Sequence, residues 1–201
     1  MEIKNVALVI IDISGYTKFV KLQKMSHLHA EEIIFQLLEA VIDKAEYPLS
    51  LNKLEGDAAF MYAVMEEKNR EAVARDVARQ VEGLLENFRS KAYELSGSRA
   101  ACQCEACQRI RDLCLKVIMH SGVAAFRKIR QFEELAGEDV ILAHRLLKNS
   151  IPAHEYVLMT EAFYQVAGSV PHGSVEAREE TYEDLGRIPV RVFYPVARAP
   201  D

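Results

Sequence analysis

The sequence predicts an α+β domain in which helices cover one face of a mainly antiparallel sheet. Three observations carry that expectation. Strand-like and helix-like segments follow one another in the order β-α-α-β-β-α-β-β-α-β. The strands come as neighbouring pairs, joined at short turns. No Pro/Gly/Ser-rich linker and no internal repeat divides the 201 residues, which are therefore read as one domain, 1–201.

Val6-Ala7-Leu8-Val9-Ile10-Ile11 is a β-branched apolar run ended by Asp12, Ser14 and Gly15, the pattern of a buried strand. A short helical piece is expected around Tyr16 to Leu22. Ile33, Ile34, Leu37, Leu38, Val41 and Ile42 then recur at helical spacing, with Glu31, Glu32, Glu39 and Asp43 between them, so one helix face enters the core. Leu49 to Glu55 and Ala58 to Val64 read as two strands joined tightly at Gly56-Asp57. The charge run Glu66 to Glu71 is a solvated helix start. Val73, Val77, Val81, Leu84, Leu85 and Phe88 mark the long helix that follows, ended by Ser96-Gly97-Ser98. Leu113 to His120 and Val123 to Ile129 are expected as two strands with a turn at Ser121-Gly122. A helix around Asp139 to Leu147, a strand at Tyr156 to Met159 and strands near Tyr182 and at Val190 to Tyr194 complete the chain.

The chain carries 25 basic and 30 acidic side chains, a formal charge of −5, and has no long Lys/Arg run, which argues against a nucleic-acid partner needing a basic face. A small phosphorylated ligand needs only one local positive spot and stays allowed. The apolar run before Asp12 is too short for a signal peptide or a membrane span, so a cytoplasmic protein without a membrane partner is expected.

Asp12 ends the first strand and is followed by Ile13-Ser14-Gly15-Tyr16-Thr17. A carboxylate there can hold a hard cation through oxygen, and the turn's backbone N–H groups can face a phosphate. Capping of the following helix is the plainer use of Asp12. Asp57, at the Gly56-Asp57 turn, is equally good hairpin chemistry. Two strand-end aspartates in one domain can also meet and share metal ions, since Mg²⁺ favours one or two carboxylates plus substrate phosphates.

The four cysteines, Cys102, Cys104, Cys107 and Cys114, are confined to one stretch within and just beyond an insertion at about 96–112. Three close thiolates can bind Zn²⁺, with Cys114 or a histidine as fourth ligand. A redox-sensitive loop and an unliganded insertion are the alternatives. The six histidines form no metal-ligand pattern: His27 and His29 show no partner, His120 reads as structural, and His144 packs or meets water.

Four blocks in one order resemble class III nucleotidyl cyclase catalytic domains: Ile11-Asp12-Ile13-Ser14-Gly15-Tyr16-Thr17, Lys53-Leu54-Glu55-Gly56-Asp57-Ala58, Ile118-Met119-His120-Ser121-Gly122-Val123, and Gly137 through Leu146. The chain is also similar to a little-characterised cyclase-related family with a cysteine cluster and a Val-Ile-Leu-Ala-His-Arg-Leu-Leu-Lys-Asn-like helix. The resemblance implies a ferredoxin-like α+β fold and a head-to-tail homodimer with active sites at the subunit interface. It implies conversion of ATP to cyclic AMP and pyrophosphate. Asp12, Asp57 and the backbone carbonyl of Ile13 would bind two Mg²⁺ or Mn²⁺ ions, and Ser14, Gly15, Tyr16 and Thr17 would lie along the nucleotide. Lys53 matches the base-selecting lysine, and Arg145 matches the arginine that stabilises charge on the α-phosphate.

Three positions depart from that family. Ile141 occupies the place of its catalytic asparagine, one helical turn before Arg145, and lost positioning of this sort costs roughly 10²-fold. Glu134 stands at the base-selecting aspartate position. No lysine matches the triphosphate-binding one around Asp184-Leu185-Gly186, where Arg187 is the substitute. A catalytically degenerate homologue that binds nucleotide or a partner is the alternative to a working enzyme.

Overall fold

A computed structural model describes residues 1–20, 24–168 and 174–195. Its elements are β1 (Glu2–Ser14), α1 (Tyr16–Val20), α2 (Lys24–Lys44), β2 (Ser50–Glu55), β3 (Ala58–Val64), α3 (Arg70–Ser98), α4 (Glu105–Gln108), β4 (Cys114–Ile129), β5 (Phe132–Ala136), α5 (Glu138–Arg145), β6 (Tyr156–Thr160), α6 (Glu161–Ala167), β7 (Ser174–Tyr182) and β8 (Gly186–Tyr194), with a 3₁₀ turn at Ile110–Asp112. The far end of the first expected helical piece, residues 21–22, lies outside the described residues.

The eight strands form one sheet in the order β2-β3-β1-β4-β6-β8-β7, with β5 hydrogen-bonded to β4 off that path. Every ladder is antiparallel except β4–β6. This is the expected mainly antiparallel α+β architecture.

Alternation along β1 divides the interior, because successive side chains of a strand point to opposite faces. Ala7, Val9, Ile11 and Ile13 pack with Ile33, Leu37 and Val41 of α2, Val77, Val81 and Phe88 of α3, and Phe163 of α6. Val6, Leu8 and Ile10 join a second cluster with Val140 and Ala143 of α5, Leu135 of β5 and Ile151. Among the described residues most of the helical surface therefore covers one face, and α5 alone is laid against the other.

One predicted feature is corrected. Ser121-Gly122 does not turn the chain: β4 runs unbroken for 16 residues. The long β1 holds it straight, pairing Ala7 with Ser121 and Val6 with Gly122 in the middle of one continuous ladder. What changes at Ser121-Gly122 is the neighbour on the other edge. Residues 116–119 pair with β6, and residues 125–129 pair with β5. Strand β5 and helix α6 have no counterpart among the predicted elements, although Thr160 caps α6 by accepting a hydrogen bond from Phe163 N at 3.3 Å.

Candidate active site

β1 carries Asp12 to the sheet end where β2 turns into β3. There Ile13 N donates to the carbonyl oxygen of Asp57 at 3.1 Å, so the turn bearing Asp57 is fastened to the strand bearing Asp12. Burial, and then the negative charge of Asp12, push the Asp57 carboxyl up to about 6. Two carboxylates held together out of water favour a proton or a cation between them. Lys116 supplies part of that charge: its Nζ lies 2.9 Å from Asp12 Oδ2, with both side chains largely buried. The donor set, hard carboxylate oxygens beside backbone carbonyls, has the chemistry that Mg²⁺ and Mn²⁺ take.

The next residues form the entry to α1. Gly15 has φ +96°, a left-handed conformation that a side chain disfavours, and its carbonyl accepts from Lys18 N and Phe19 N. Gly15 and Thr17 are exposed, while Ser14 is buried. Tyr16 donates its hydroxyl to Glu31 on α2 at 3.3 Å. Ser14 and Gly15 line a cleft of about 280 Å³ with Lys18, Arg109, Asp112 and His154, so its rim carries basic groups.

A second group of side chains gathers between β2, β5 and α5. Lys53 Nζ donates to Glu134 Oε2 at 3.3 Å and lies 3.5 Å from Glu55 Oε1. His144 Nε2 is 3.0 Å from Glu55 Oε2, and the imidazole packs edge-on against Phe60 at a centroid distance of 4.9 Å. The structure thus joins Lys53 to Glu134 and gives His144 a packed, hydrogen-bonded place.

Arg145 pairs with a different aspartate, Asp184. Its Nη2 donates to Asp184 Oδ2 at 2.7 Å, linking the end of α5 to the β7–β8 turn. Ile141 is 53% exposed and lines an open cleft of about 380 Å³ with Val140, His144, Arg145 and Lys148. Arg187 points into solvent, with Glu179 at 3.7 Å.

α5 is held in place through His120. Its Nδ1 meets Thr160 Oγ1 at 2.9 Å and its Nε2 meets Asp139 Oδ1 at 3.0 Å, while Val123 N donates to Asp139 Oδ2 at 2.6 Å. Burial lowers the His120 pKa against the opposing pull of Asp139. His120 is a structural post, as the sequence indicates.

The cysteine segment is a separate centre. His29, Cys102, Cys104 and Cys107 offer ligand atoms that all lie within 4.8 Å of one another. Burial raises the Cys104 thiol, but hydrogen bonds from Cys107 N–H and His29 outweigh it and bring the thiol below its usual range. Burial and the neighbouring thiols push Cys107 up. Two expectations change here. Cys114 is outside the group, its Sγ 3.9 Å from the carbonyl of Asp112, because β4 has already begun and carries it away. His29 does have a partner, supplied by the fold from a segment more than 70 residues away. His27 lies 3.8 Å from Glu31. Lys116 was open to detection, as a lone polar residue between the core residues Leu115 and Val117.

This sheet order and its flanking helices are the fold of class III adenylyl and guanylyl cyclase catalytic domains. The adenylyl cyclase CyaB from P. aeruginosa superimposes with a TM-score of 0.70 at 14% identity, over 100% of this chain and 98% of that one. The guanylyl cyclase Cya2 gives 0.65 at 12% identity over 96% and 92%. An adenylate cyclase from Trypanosoma brucei gives 0.64 at 15% identity over 98% and 93%. By sequence, the chain belongs to the family described as Protein of unknown function (DUF2652), which matches residues 33–156. The uncharacterized protein Rv2561/Rv2562 of Mycobacterium tuberculosis is 39% identical over 130 residues, 65% of this chain, and the match spans only 58% of that relative's length. Among the described residues no helix is long and apolar enough to cross a membrane.

Proposed function

We propose that the chain is a nucleotidyl cyclase catalytic domain that acts as a homodimer on ATP, releasing cyclic AMP and pyrophosphate. The observation that carries this reading is the fastening of Asp57 to the end of β1 beside Asp12, on a cyclase fold. Asp12 and Asp57, with the carbonyl of Ile13, would hold two Mg²⁺ or Mn²⁺ ions. When bound, these supply Lewis-acid stabilisation of the ribose oxygen and the leaving pyrophosphate.

The chain's own groups do the rest. Lys53 and Glu134 present a donor and an acceptor side by side, the pair that an adenine edge can bridge. The Ser14–Thr17 turn offers backbone N–H groups to the phosphates. Arg145 answers the charge that grows on the α-phosphate as the 3′-oxygen attacks it and the α–β bond breaks. Arg145 pairs with Asp184 and Asp12 with Lys116 within one chain, which supports a site whose arginine and carboxylates are joined across a second copy.

The test is product formation from ATP and from GTP with Mn²⁺, in wild type and in Asp57→Ala. A cyclic nucleotide that disappears in the variant supports the reading. Equal silence of both proteins over long incubation overturns it.

A further inference from the structure

We infer that His29, Cys102, Cys104 and Cys107 bind one Zn²⁺ in a closed tetrahedral site that fastens the start of α2 to the segment after α3. The first support is metric. His29 Nδ1 lies 3.6, 3.4 and 3.5 Å from the sulfurs of Cys102, Cys104 and Cys107. Zn–S bonds of about 2.3 Å and a Zn–N bond of about 2.0–2.1 Å at the tetrahedral angle place nitrogen and sulfur about 3.6 Å apart. One nitrogen is thus equidistant from three sulfurs at the edge length of a zinc tetrahedron. A hydrogen-bonded imidazole has no reason to take that position, since its Nδ1 can serve one thiol at a time.

The surroundings suit a metal thiolate. Cys107 N donates to Cys104 Sγ at 3.4 Å, which supports a thiolate there. Three thiolates and a neutral imidazole around Zn²⁺ leave a net charge of −1. Arg99, whose guanidinium reaches the Cys107 sulfur and binds Glu32 at 2.8 Å, offsets it. All four cysteines are free thiols. Four protein donors fill a tetrahedral shell and leave no open position, so the site is structural and separate from the Asp12/Asp57 centre. Three sulfurs and one imidazole nitrogen select Zn²⁺ over Mg²⁺ or Mn²⁺.

The site has a local consequence. Arg109, Asp112 and Leu113, a few residues beyond Cys107, line the cleft at Ser14 and Gly15. The metal therefore orders the segment that walls the β1–α1 turn.

The experiment uses the full chain, purified under reducing conditions without chelator. Elemental analysis is expected to give one zinc per chain in wild type and in Cys114→Ser. Replacement by Co²⁺ is expected to give the intense visible bands and sulfur charge transfer of a tetrahedral thiolate site. His29→Ala is expected to weaken the metal by more than the about 10- to 100-fold typical of outer-shell partners. Chelation is expected to speed amide hydrogen exchange in residues 27–31 and 99–112 while leaving β1 and β4 protected. Metal-free wild type with four titratable thiols overturns the inference. So does a cobalt spectrum lacking sulfur charge transfer, a reading that does not depend on any variant folding.

Discussion

Lys116 Nζ sits 2.9 Å from Asp12 Oδ2, directly across the β1–β4 ladder. It neutralises the carboxylate that the proposed reaction assigns to a divalent cation, so ammonium and metal compete for the same oxygens. Unit charges about 4 Å apart interact by about 4 kcal/mol at an effective dielectric near 20, less whatever Lys116 recovers by swinging towards water. Lys116→Met is therefore expected to tighten Mn²⁺ binding by about tenfold, or 1.4 kcal/mol, in calorimetric titration at neutral pH.

The raised pKa of Asp57 has a sign that stability measurements can read. Its carboxyl is pushed up to about 6 in the fold, against 3.8 for an ordinary aspartate. Between those values the native state holds more proton than the unfolded chain. Asp57 therefore makes the metal-free protein lose stability as pH rises from about 4 to 6, and adds no slope above that. His120 acts oppositely, because its lowered pKa removes stability as pH falls below the ordinary histidine value of 6.5. Denaturant curves in EDTA for wild type and Asp57→Asn separate the two. The difference between the proteins is expected to grow with pH through that window and to favour the variant.

Legibility in the sequence followed the range of the forces involved. Asp12 and Asp57 could be found because a strand end and a tight turn mark their own positions. The helices of one face announced themselves through apolar spacing. Gly122 was misread because glycine beside serine looks like a turn, whereas here the missing side chain makes room for Asp139, a contact 17 residues away. His29 was invisible for a stronger version of the same reason, since nothing local connects it to cysteines 73 to 78 residues further on. The short β5 and α6 carry too few residues to show a period.

That space at Gly122 gives a sharp test. A Cβ there would lie 2.2 Å from Asp139 Cγ and 2.6 Å from its Cβ, so the Asp139 side chain must leave. Its departure breaks the bonds to His120 Nε2 and Val123 N and frees the start of α5. Gly122→Ala is expected to cost about 1–3 kcal/mol in urea unfolding. Because Arg145 rides on the same helix, nucleotide binding is expected to weaken as well. Adding Asp139→Ala to Gly122→Ala is expected to return part of the stability, since the clash is relieved while the lost hydrogen bonds are not.

The decisive substitution on α5 lies one turn before Arg145. Ile141 is 53% exposed and contributes little to the core, whose α5 members are Val140 and Ala143. Ile141→Asn is thus expected to change stability by no more than about 0.5 kcal/mol, as surface substitutions do. Its effect on chemistry is expected to be larger. An amide at this position shares the open cleft with Arg145 and can hydrogen-bond a ribose, which an isoleucine cannot. Positioning a reacting hydroxyl in this way is worth roughly 10²-fold in rate. Mn²⁺-dependent cyclisation of ATP is therefore expected to rise by about that factor in kcat, with a smaller change in KM. A fall in KM with kcat unchanged would assign the amide to ground-state binding, and an unchanged rate would mean that residue 141 does not face the reacting ribose.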